Sequence, residues 1–164
     1  MGQPVAIDLD GALGDTRPLW SDFLADAARR YAAIAPLDVE ALPKDRGAAA
    51  EELDRWAAQG IGDWRSALER FAEDRAPVYL RPNAGAGAAM RALAASGRRL
   101  GVFTDAPEPL ARVALAHLGA ARRLDALQCG SGARERLLEQ LGPGTVVVVT
   151  ASDLVKISAS ASGT

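Results

Sequence analysis

Val5-Ala6-Ile7-Asp8-Leu9-Asp10-Gly11-Ala12-Leu13 is an apolar run that ends abruptly in two aspartates one residue apart, followed by glycine. A short, continuous apolar run is the pattern of a strand buried on both faces, and open α/β sheets carry their chemistry just beyond the carboxyl ends of such strands. Asp8 is therefore expected at the strand tip and Asp10 in the loop after it. If extended geometry persists, Leu9 points the opposite way and both carboxylates face one side of the crevice. Gly11 lets the chain turn away at once.

Outward from this strand, the chain turns helical. Trp20, Phe23, Leu24, Ala27, Ala28 and Tyr31 recur at helical spacing until Pro36 and Pro43 break the pattern. A helix over 48–58 carries Leu53, Trp56 and Ala57 on one face, Gly60 and Gly62 follow it, and Asp63 reads as the N-cap of a helix over 64–74. Pro77 and Pro82 are expected to close this region, with Trp20, Trp56 and Trp64 as its core anchors. Residues 16–80 are too long for an ordinary crossover and read as a helical insertion between two strands of the main sheet. From Ala84 the alternation is regular: helix to Ala95, strand 100–104, helix 108–118, strand 124–129, helix 133–141 and a valine-rich strand 145–150. Strands alternating with helices are the pattern of a parallel sheet with right-handed crossovers, an α/β fold.

At 164 residues, 49% hydrophobic, the chain can fill the core of one domain with a modest insertion. A net charge of −2 and arginines scattered along helices supply no basic patch, so nucleic acid is not an expected partner. The single cysteine, Cys129, excludes an internal disulfide framework and a thiolate zinc site, and fits a reducing compartment. With no basic lead and no long apolar segment, neither a signal peptide nor a membrane partner is expected, and we place the protein in the cytoplasm. The small, polar residues 158–164 read as a disordered tail.

Asp8-Leu9-Asp10-Gly11-Ala12-Leu13, continued by Asp15-Thr16, resembles the first motif of the haloacid dehalogenase-like superfamily, usually Asp-x-Asp-Gly-Thr-Leu. Gly101-Val102-Phe103-Thr104-Asp105 resembles the second motif, and residues 16–80 look like the family's helical cap. The resemblance implies a Rossmann-like core over 1–15 and 81–157, with helices on both faces of the sheet. It also implies a chemistry. Asp8 would attack phosphorus and form an aspartyl-phosphate, and Asp10 would act as general acid and then general base. Two carboxylates this close should have separated pKa values. Thr104 and Asp105 would bind the substrate's phosphate. Mg²⁺ would be held by the Asp8 carboxylate, the Asp10 carbonyl and Asp153, offsetting repulsion between anionic nucleophile and anionic substrate. Asp10 favours phosphoryl transfer over dehalogenation, because the superfamily's dehalogenases generally lack the second aspartate. The implied activity is that of a magnesium-dependent phosphatase on a small phosphorylated metabolite.

The second half departs from this pattern. No lysine stands in Cys129-Gly-Ser-Gly-Ala-Arg134-Glu-Arg136, where the third motif would place its phosphate-binding cation. Arg134 is the nearest cation, as a phosphate ligand or as a solvated helix-start arginine. After Val146–Val149, Ala151 stands where the fourth motif has its first metal aspartate, leaving Asp153 either to hold metal or to cap the following turn. These departures support an alternative: a catalytically weakened member that binds a phosphorylated ligand without turnover. His117 and Cys129 read as packing residues.

Overall fold

The computed structural model describes residues 2–161. Four parallel strands, β1 (Val5–Asp8), β2 (Leu100–Thr104), β3 (Ala126–Cys129) and β4 (Val146–Val148), form one sheet in the order β3-β2-β1-β4. β1 is flanked on both sides, Ile7 standing opposite Val102 on β2 and Val148 on β4. The helices are α1 (Arg17–Tyr31), α2 (Arg46–Trp56), α3 (Trp64–Tyr79), α4 (Ala84–Ala95), α5 (Glu108–His117), α6 (Ala133–Leu141) and α7 (Ala151–Ala161). None is long and apolar enough to cross a membrane. The expected parallel α/β sheet is present.

Strand alternation distributes the core between the two faces of the sheet. Val5, Ile7, Leu100 and Val102 pack with Met90 and Leu93 of α4, Ala111 and Leu115 of α5 and Leu154 of α7. Ala6 and Phe103 pack on the other face with Leu137 and Leu141 of α6. At Gly101 a Cβ would come within 2.6 Å of the Leu137 side chain, so glycine is what allows α6 to lie so close.

Residues 17–79 carry a second core. Leu19, Trp20 and Phe23 of α1, Leu53 of α2, and Trp64 and Leu68 of α3 are buried together, joined by Ala106 and Leu110 from the sheet side. The Trp20 and Trp64 rings meet edge to face at 6.4 Å, and Phe23 meets Phe71 the same way at 5.8 Å. Trp56, expected as a third anchor, is only partly buried.

Two expectations are corrected. α3 does not stop short of Pro77 but runs through it to Tyr79, its preceding turns held by buried Leu68, Ala72 and Ala76. Residues 158–161 are no tail: they form the last turn of α7, with Ser158 buried. Residues 162–164 of that expected tail lie outside the described residues.

Trp64→Ala removes a side chain that is 1% exposed and whose Nε1 donates to Asp54 Oδ1 at 2.9 Å. We expect it to lower stability by about 3–5 kcal/mol, read as a lower urea midpoint with an unchanged denaturant slope.

Candidate active site

β1 ends at Asp8, and the chain then makes a wide turn over Leu9–Leu13 that Asp8 caps by accepting from the Asp10 N–H at 3.1 Å. Gly11 stands at φ 119°, and a Cβ there would lie 2.6 Å from the Val149 carbonyl oxygen after β4. Only glycine suits both the backbone and the space. Leu9 is fully buried, while Asp8 and Asp10 remain partly accessible at the carboxyl end of the sheet.

Asp10 is bonded at both oxygens. Oδ1 accepts from the Thr16 N–H and the Thr16 hydroxyl, both at 2.7 Å. Oδ2 accepts from Thr104 Oγ1 at 3.0 Å and from Arg46 Nη2 at 2.5 Å. Thr104 thus turns its proton to Asp10 and takes the Ala106 N–H at 3.2 Å.

Arg46 is the feature the sequence reading missed. It is the first residue of α2, 3% exposed, and its side chain lies between the ends of β1 and β2. Asp105 grips it three times, taking the backbone N–H at 3.0 Å, Nε at 3.0 Å and Nη2 at 2.8 Å. Nη1 donates to Thr16 Oγ1 at 2.7 Å. Burial works to raise the Asp105 pKa, but the hydrogen bonds and charge of Arg46 outweigh it and hold that carboxyl below its ordinary value. Thr16, fully buried, reads from sequence only as the continuation of a motif. One signal for Arg46 was available: a cation in the first turn opposes the helix dipole, which marks it as held by something outside its helix.

Asp8 lies apart from this network. Burial, and then the neighbouring charge of Asp10, push its carboxyl up to about 6. Its only hydrogen bond among the described residues is the one from its own turn. Arg17, 67% exposed at its side chain, is paired with Asp15 at 2.8 Å.

The remaining expected residues are not gathered here. Arg134 is exposed and its guanidinium lies 5.9 Å from the Phe103 ring centroid. Asp153 is exposed in the first turn of α7, its N–H donating to Thr150 Oγ1 at 3.1 Å. Among the described residues, no three His, Cys, Asp or Glu side chains are placed together to hold a metal ion. Beside the site, a cleft of about 650 Å³ separates α2 and α3 from the end of β3, with Gly47, Glu51, Arg112, Cys129 and Ser131 on its walls. Burial pushes the Cys129 thiol up to about 11.

A family model described as haloacid dehalogenase-like hydrolase matches residues 5–153. No curated protein matches the chain. Among solved structures, the CbbY protein of Rhodobacter sphaeroides in complex with phosphate is 20% identical with a TM-score of 0.60, over 90% of this chain and 77% of that one. A 2-haloacid dehalogenase from Pseudomonas syringae pv. Tomato DC3000 is 19% identical with a TM-score of 0.55, over 90% and 77%. A protein described as a beta-phosphoglucomutase from Thermotoga maritima is 20% identical with a TM-score of 0.54, over 96% and 82%. All three share the fold.

A carboxyl at 3.8 when unfolded and about 6 when folded favours the folded state at acid pH, and that contribution is lost as pH rises through this window. Asp8→Asn has no such titration. Its melting temperature relative to the wild-type protein is expected to climb between about pH 4 and 6 and to level off above, measured by thermal unfolding in matched buffers.

Proposed function

The chain belongs to the haloacid dehalogenase-like hydrolases, and from that premise we propose that it is a phosphatase acting on a small phosphorylated metabolite through an aspartyl-phosphate on Asp8. The observation that carries this reading is the accessible carboxylate of Asp8 at the strand tip, unpaired among the described residues, with the second carboxylate, Asp10, on the same short turn. Asp8 is half-buried at the tip of the central strand with no ion-pair partner among the described residues, whereas Asp10 is held at both oxygens. In the first step Asp8 Oδ bonds to phosphorus, the ester P–O bond breaks, and Asp10 gives its proton to the leaving alcohol. In the second, Asp10 takes a proton from the water that attacks the phosphoryl group, and Asp8 is released.

The phosphate held by the Rhodobacter sphaeroides protein accords with this assignment, and Asp10 favours it over dehalogenation. Residues 16–80 would serve as the cap over the crevice. The one cysteine supports a reducing, cytoplasmic setting.

Mg²⁺ would meet a reduced donor set here. Asp8 offers a carboxylate, but the Asp10 side chain is fully engaged, so Asp10 has only its carbonyl to give, and Ala151 gives nothing. Mg²⁺ commonly binds through one or two carboxylates together with substrate phosphate and water, and it would neutralise charge on the transferring phosphoryl group. Asp153 remains the nearest further acid in sequence. Thr104 and Asp105, if they contact substrate, must first release Asp10 and Arg46. Arg134 would need to swing from Phe103 to reach phosphate.

A second reading, a ligand-binding member without turnover, is favoured by the same saturation of Asp10. Phosphate release from a panel of phosphorylated metabolites and an aryl phosphate, with and without Mg²⁺, separates the two. The phosphatase should show Mg²⁺-dependent release that falls on the order of a thousandfold or more in Asp8→Asn, as loss of a covalent nucleophile does. No release above the mutant on any substrate, together with a melting temperature raised by a phosphorylated compound, would establish the binding protein.

A further inference from the structure

Arg46 does more than neutralise charge. Three consecutive residues at the start of α2 are fastened to the sheet-bearing part of the chain. Asp45 Oδ2 accepts from Ser131 Oγ at 2.6 Å. Arg46 bonds to Asp10, Thr16 and Asp105. Gly47 lies so near the loop after β3 that a Cβ would be 2.1 Å from the Ser131 nitrogen. No other point of the 17–79 segment is fixed to the strand ends by so many polar contacts among the described residues.

The chemical consequence lies at Asp10. Its four hydrogen bonds all come from donors, two to each oxygen. A proton on Oδ2 would point at the Arg46 guanidinium or the Thr104 hydroxyl, and a leaving-group oxygen would have to occupy the same space. A carboxyl that is to exchange protons with a substrate needs one oxygen open to it. Thr16 binds Oδ1 through both its N–H and its hydroxyl and Thr104 belongs to β2, so the donor on Oδ2 that can depart with α2 is Arg46.

We infer that Arg46 is an autoinhibitory latch: in the resting chain it closes α2 onto the strand ends and occupies Asp10, and it must let go before Asp10 can act on a substrate. This rests on the phosphatase reading for what Asp10 does, but the latch itself is a property of the resting fold. Asp105 is its keeper, holding the guanidinium and the α2 backbone together. Ser131 is a second strap, independent of the carboxylates.

Hydrogen–deuterium exchange on the full chain tests the latch without requiring turnover. In Asp105→Asn, backbone exchange over residues 45–50 should rise at least tenfold while β1 and β2 keep wild-type protection; Ser131→Ala should give a smaller rise in the same place. Unchanged exchange over 45–50 in Asp105→Asn overturns the inference. So does a rise shared by 45–50, β1 and β2, because the contact would then be part of global stability rather than a release point. Steady-state phosphate release on the same proteins adds a separate reading: a latch predicts a kcat/KM raised severalfold in Ser131→Ala, and a fall there alongside raised exchange overturns gating. If no protein releases phosphate, the phosphatase reading fails while exchange still decides the latch.

Discussion

One buried guanidinium holds the site together. Arg46 is the point where the helical segment, the turn after β1 and the end of β2 meet, and its charge is balanced there by Asp10 and Asp105. Removing one partner of a buried ion pair leaves the other charged and unsolvated, which typically costs about 3–5 kcal/mol. Every buried side-chain polar atom among the described residues finds a partner, and at this site that requirement falls on Arg46, Thr16 and Thr104 together. The geometry of Asp10 therefore depends on a residue 36 positions away in sequence, on an element with its own apolar core.

The two parts of the molecule are built differently. The sheet is held by long-range parallel pairing and by small residues, Ala6 and Gly101, that admit α6 to one face. The helical segment is held by aromatic side chains around Trp20, Phe23 and Trp64. They touch through Ala106 and Leu110, which bury against the aromatic core, through Ala76 of α3, which buries in the sheet's core, and through the polar seam at Asp45, Arg46 and Gly47. The apolar contact is non-directional and tolerates small shifts, whereas the polar seam has one geometry.

Much of this could be read from the sequence, because the signals were local. The run Val5–Ile7 marks a buried strand, Asp63 a helix start and Gly11 the turn, and each of these is realised by short-range chemistry; the valines before Thr150, expected as a buried strand over 145–150, form only the edge strand Val146–Val148, with Val148 alone buried and Val149 41% exposed. What escaped was set by packing. Pro77 reads as a stop, but five buried residues on α3 outweigh its missing N–H. Residues 158–161 read as a tail because they are small and polar, yet small residues are what let α7 lie against α4. Arg46 looked like one of seventeen arginines. Its role depends on where a distant turn places two carboxylates, which no local pattern encodes. Thr104 was recognised for its position, but its proton goes to Asp10, a choice visible only when both are in place.

The central place of β1 gives the turn after it an unequal neighbourhood. A strand paired on both sides is among the last parts of a fold to open, whereas the start of α2 is held to it by side-chain hydrogen bonds and α3 by Ala76 within the main core. Asp8 belongs to the first kind of element and Arg46 to the second. Were the start of α2 to part from the strand ends, Asp10 would lose Arg46 but keep Thr16 and Thr104, and Asp8 would keep the bond within its own turn.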